Sequence, residues 1–316
     1  MRSSTSASRG LTSEVALGLL LCSLVLYFLL LEISARWLVP RMSAELRRMD
    51  RDYQASLALR PTSAGGSPSV LMVGNSLLLS GVVRAELQRG LAPSYAIEEF
   101  PIEGTTYLDW FFGLQRLFAE GARPRVVIVC LNFGQITSNA THGAGFAYQL
   151  MQGHDLLRAA HAANLDLMTT SNYFFAHYSA WFGVRSHVHA GVLEKLLPGT
   201  MQLAPYLAPA ENHRPQTSGA LLGVAVQRLR ALEQLADRHG ARFVMLIPPT
   251  LSTTDPSPAV AALATQEGIT VLIPFRPAEL PATVFSDGFH LDPRGAQLFT
   301  SRLEQVLPGV LAMLAN

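Results

Sequence analysis

The chain has 316 residues, 49% hydrophobic and 15% charged, with a formal net charge of +1. That length can bury a sizeable core, and the near-zero charge argues against a general nucleic-acid binder, which needs a basic surface. Cys22 and Cys130 stand in an apolar N-terminal run and a predicted buried strand, so neither a disulfide nor a cysteine metal site is indicated.

A Ser-rich leader over 1–14 precedes Val15–Leu31, a run of 17 residues without a charge. At ~1.5 Å per residue it reaches about 25 Å, and its flanks complete a span. It exceeds the ordinary core of a cleaved signal and ends in Glu32-Ile33-Ser34-Ala35-Arg36-Trp37, a weak cleavage site beside an interfacial Trp. An uncleaved transmembrane anchor over 15–35 is therefore expected. Arg36, Arg41, Arg47 and Arg48 follow it and blunt the charge asymmetry that would set orientation. Residues 36–68 read as a juxtamembrane helix, Met42–Leu59, and a linker punctuated by Gly and Pro.

From 69 to 316 strands and helices alternate. Strands are predicted at Ser69–Val73, Tyr95–Phe100, Arg125–Leu131, Arg242–Ile247 and Ile269–Ile273. Helices are predicted at Val82–Arg89, Tyr107–Glu120, Leu221–His239, Ala259–Glu267 and Pro293–Leu307, the last capped by Asp292 and ended or kinked by Pro308-Gly309. RVVIVCL, apolar after its first residue, is the pattern of a central parallel strand buried on both faces. The alternation predicts a parallel sheet covered on both sides. Residues 138–218 break the rhythm and read as a mostly helical insertion on the strand-end side, with helical patches at Asp155–Leu167 and Val192–Leu197. Its Tyr173-Phe174-Phe175 and Trp181-Phe182 clusters serve either packing or an apolar wall. His187 and His189 have no carboxylate at ligand spacing, so no metal is expected, and no cofactor is indicated.

Ser76 in Gly74-Asn75-Ser76 and Asn132 both fall just past a predicted strand, where parallel sheets bind ligands. Far downstream, Asp287-Gly288-Phe289-His290 places a carboxylate three residues before an imidazole, which it can hold in one tautomer. Histidine ordinarily titrates near neutral pH and suits the base that a serine hydroxyl needs. The two pieces together indicate a serine hydrolase or acyltransferase with Ser76, His290 and Asp287 as triad.

With these pieces in place the chain resembles the SGNH (GDSL-like) hydrolase family from Ser69 to the C-terminus. The resemblance implies a flavodoxin-like three-layer α/β/α sandwich and acyl-ester chemistry. It makes Ser76 the nucleophile and gives the oxyanion to the amides of Ser76 and Gly104 and the side chain of Asn132. Asn75 stands where the family has Asp, Cys130 where it has Gly, and Phe133 where it has a second Asp. The N-terminal anchor is similar to that of proteins of bacterial surface-polysaccharide acetylation and teichoic-acid D-alanylation. This implies an extracytoplasmic domain (periplasmic in a Gram-negative bacterium) acting on a saccharide or lipid acyl ester, with a multi-span acyl-donor membrane protein as a partner. Hydrolysis and transfer to a sugar hydroxyl both fit. A degenerate domain that binds a glycan or an envelope assembly partner is the alternative.

Overall fold

The computed structural model describes residues 13–315 apart from 186–187, 189–195 and 197–218. It opens with helix α1 (Ser13–Trp37), a short helix α2 (Val39–Met42) and helix α3 (Ala44–Ala58). α1 is long and apolar enough to cross a membrane. Ser43 caps α3, its side chain accepting from Leu46 N at 3.2 Å.

Five parallel strands follow: β1 (Ser69–Gly74), β2 (Ala96–Pro101), β3 (Val126–Cys130), β4 (Arg242–Leu246) and β5 (Val271–Leu272). Their order in the sheet is β2-β1-β3-β4-β5. That is the flavodoxin-like order, with its switch point between β1 and β3. Every residue of β1 and β3 is buried, because both faces of the sheet are covered.

Alternate residues build two cores. Leu71, Val73, Val127, Val129, Phe243 and Met245 point to one side. There they meet α3, α6 (Tyr107–Ala119) and the helix Gly219–Arg238, along with Ser257–Gln266 farther along the sheet. Val70, Met72, Val126, Ile128, Val244 and Leu246 point to the other. That side is covered by α4 (Ser76–Gly81), α5 (Arg84–Leu91) and the C-terminal helix. The result is a three-layer α/β/α sandwich.

Three local outcomes differ from the sequence reading. β5 keeps two of its five expected residues, since this edge strand pairs only with Met245 and Leu246. The last helix runs from Pro293 to Ala315 with Pro308 inside it, so it does not stop there. Pro308 removes a backbone donor, but Leu303, Leu307 and Leu311 are all fully buried on the second core, and that packing carries the helix past it. Helix α3, read as juxtamembrane, lies against β2, with Tyr53 edge-on to Phe100 and Leu46 and Met49 in the first core. Arg84 ties it down, donating to Asp52 and Glu98 at 2.7 Å each.

A short helix α7 (Phe133–Thr137) follows β3, and the described part of the insertion is mostly helical: α8 (Ala144–Gln149), α9 (Leu156–Ala162) and α10 (Leu167–Tyr178). In chain order, Gly219–Arg238, Ser257–Gln266 and Pro293–Ala315 are α11, α12 and α13. The His187–His189 pair lies outside the described residues, as does nearly all of Val192–Leu197.

Candidate active site

β1 ends where Gly74 stands opposite Cys130 on β3 and Pro101 on β2. A Cβ on Gly74 would sit 2.6 Å from the Cys130 carbonyl oxygen, so only glycine allows this approach. Ser76 lies two residues beyond Gly74, Asn132 two beyond Cys130, and Gly104 three beyond Pro101. The register thus brings all three to one end of the sheet, with Ser76 and Asn132 flanking the β1/β3 switch point, where open α/β sheets bind ligands.

Asn75 organises this corner and is 1% exposed. Its Oδ1 accepts from Leu77 N at 3.0 Å, capping α4, and its Nδ2 donates to Thr105 O at 3.0 Å. The second bond fixes the loop carrying Gly104 against the turn carrying Ser76. The Asp usual at this position in the family that the sequence resembles would set a carboxylate oxygen against the Thr105 carbonyl. Asn75→Asp is therefore expected to cost about 1–3 kcal/mol, read as a lower denaturant midpoint; unchanged stability would show the Thr105 bond to be dispensable.

The loop before α13 supplies the other side of the site. Phe285 bridges Leu291, Ser286 N donates to His290 O at 2.9 Å, and Gly288 turns the chain with φ +81°. Asp292 accepts from Gly295 N at 2.8 Å as the cap of α13. The loop presents His290 so that its Nε2 lies 2.9 Å from Ser76 Oγ, while its Nδ1 lies 2.7 Å from Asp287 Oδ2. Asp287 Oδ1 accepts from the backbone N–H of Phe289 at 2.9 Å and of His290 at 2.7 Å. Partial burial raises the affinity of this carboxyl for its proton. The two amides, the imidazole bond and the nearby His290 charge outweigh that and hold it at about 2. Ser76, His290 and Asp287 thus form one hydrogen-bonded line. His290 is 30% and Asp287 47% exposed, so the line stands open at the surface of the described structure.

Asn132 N-caps α7: its Oδ1 accepts from Gln135 N and its own N donates to Gln135 Oε1, both at 2.9 Å. The amide oxygen is engaged, which leaves the Nδ2 edge to donate elsewhere. Phe133 is fully buried, so the position that differs from the resembled family serves the core. Gly104 has φ +70°, and a Cβ there would lie 2.8 Å from His142 Nδ1.

Sequence reasoning did not reach the support behind Gly104. Asp109, fully buried, accepts from Thr106 N at 2.8 Å and from His142 N at 2.9 Å, pinning the loop beside the glycine. Burial pushes its pKa up to about 7 against those hydrogen bonds. The Thr-x-x-Asp spacing of a helix cap was the available signal.

No family model and no curated protein matches the chain. Solved structures similar to it include a candidate acylhydrolase from Bacteroides fragilis, 12% identical, covering 83% of this chain and 97% of that one with a TM-score of 0.40. Another is TesA, 15% identical, covering 76% and 97% with a TM-score of 0.36. The sheet order, not these likenesses, defines the fold.

Proposed function

We propose that the chain performs acyl-ester chemistry with Ser76 as nucleophile, His290 as general base and Asp287 as the group that orients it. The observation that carries this reading is the unbroken line Ser76 Oγ–His290 Nε2–Nδ1–Asp287 Oδ2, at 2.9 and 2.7 Å. His290 Nε2 takes the hydroxyl proton as Oγ attacks the ester carbonyl carbon. The resulting oxyanion meets the backbone N–H of Ser76 and Gly104 and the Asn132 Nδ2. Collapse expels the alcohol, which receives the proton from His290, and leaves an acyl-Ser76. Water or a sugar hydroxyl then attacks that ester by the same steps, giving hydrolysis or transfer.

The remaining reading is built on the same site. The exposure of His290 and Asp287 among the described residues suits a bulky acceptor, such as an envelope saccharide or lipid, better than a small enclosed ester. α1 is the membrane anchor, and the catalytic body lies outside the cytoplasm, where a multi-span membrane protein can supply acyl groups.

The test uses the full chain in detergent micelles with a fluorophosphonate probe and p-nitrophenyl acetate. The probe is expected on Ser76 and lost in Ser76→Ala and His290→Ala, with turnover falling about 10⁴-fold or more in each. A folded protein that leaves Ser76 unlabelled and hydrolyses nothing in a Ser76-dependent way would replace this reading with a glycan-binding module.

A further inference from the structure

Glu32 is the first charge after the uncharged run of α1. Its carboxylate accepts from Ser179 Oγ at 2.7 Å, Ala180 N at 2.8 Å and Trp181 N at 3.2 Å, and it pairs with Arg36 Nε at 2.8 Å. Ala35 is buried in the core cluster that holds Tyr173, Ala176, Ala180 and Val184. The apolar helix is therefore docked on the insertion rather than hung from a free tether. Farther toward the N-terminus, Val25, Phe28 and Leu29 line one groove with Tyr178, Trp181 and Phe182. At ~1.5 Å per residue, Val25 lies about 10 Å along the helix from Glu32.

We infer that the segment from α10 to Phe182 is a second membrane contact, lying in the headgroup and upper acyl region of the leaflet nearest the catalytic body. This rests on the reading of α1 as a membrane span. Whatever packs beside Val25–Leu31 shares its depth, and about 10 Å matches the ~5–10 Å that interfacial helices bury. The side chains suit that layer. Leu167, Met168, Phe175 and Tyr178 are exposed on α10, and at 100° per residue they share an arc of about 100°. Trp181 and Tyr178 are interfacial residue types. Arg41 lies over Trp37 at 5.3 Å and Arg185 over Phe182 at 5.0 Å, a cationic fringe for anionic headgroups. The carboxylate that would be costly at this depth is the one whose oxygens are met by two amides, a hydroxyl and a guanidinium. The buried side of α10 reaches the site: Tyr173 OH bonds Thr141 Oγ1, next to the His142 amide that Asp109 holds beside Gly104. The contact thus joins the insertion to the loop packed beside Gly104.

The experiment places the full chain in phosphatidylcholine–phosphatidylglycerol vesicles, with and without brominated acyl chains, and reads tryptophan emission. The chain has three Trp. Trp110 is fully buried in the core and serves as a constant fold reporter. In Trp37→Phe the responsive signal is Trp181, and in Trp181→Phe it is Trp37. Emission is expected to fall on brominated lipid in both variants. A fall confined to Trp181→Phe would mean that α1 is in the membrane while the insertion is dry or covered by protein, overturning this inference alone. No fall in either would overturn the span itself and the second contact with it.

Discussion

Asp287→Asn is expected to lower kcat about 10⁴-fold while leaving the fold intact. The reason lies in how the carboxylate divides its oxygens. Oδ1 holds the N–H groups of Phe289 and His290, and Oδ2 holds His290 Nδ1. An Asn must keep its one oxygen on the two amides, because its NH₂ cannot accept from them. The NH₂ then faces Nδ1 and forces that nitrogen to accept. The ring proton moves to Nε2, where it points at Ser76 Oγ, and the base is gone. Both backbone bonds persist on a neutral oxygen in place of the carboxylate they hold at about 2, so the fold is kept with a modestly lower thermal midpoint. The steady-state rate with p-nitrophenyl acetate checks this. An Asp287→Asn variant within tenfold of wild type would show that Asp287 does not set the tautomer.

What could be read in advance follows how local each feature is. RVVIVCL declared β3 because a doubly covered parallel strand is apolar at every position, and the Asp287–His290 spacing declared a turn that folds on itself. The two helix caps, Thr106–Asp109 and Asn132–Gln135, are equally local, and their spacing was a signal the sequence reading passed over. Gly104 gained its place from a bond between Asn75 and Thr105 thirty residues apart, which no spacing announces. The docking of Glu32 on Ser179–Trp181 is of the same kind: the sequence shows a charge ending an apolar run, not what meets it. Pro308 misled because helix propensity is weak beside three buried leucines on one face.

Glu99 on β2 carries the second large effect. Two residues after Ile97, it shares that residue's face of the sheet. In the structure it is only 3% exposed, with Oε1 buried and unpartnered among the described residues. α4 and α5 cover this end of the sheet. Burial pushes its pKa from 4.5 to about 8; the Arg84 charge opposes this, while Asp52 and Glu98 add to it. Between those values the native state keeps a proton that the unfolded chain has released. The stability contributed is full below pH 4.5 and is lost as pH rises toward 8, at about 1.4 kcal/mol per pH unit. Asp109, raised from 3.8 to about 7, tilts stability in the same direction over a lower window. Glu99→Gln keeps the shape and removes the titration. Its unfolding free energy, from denaturant titration, should match wild type at about pH 5 and exceed it at about pH 8 by on the order of 2–4 kcal/mol, while the Asp109 slope remains in both proteins. Parallel stability curves for the two proteins across that range would mean that Glu99 is ionised in the fold, with Arg84 rather than burial deciding its charge.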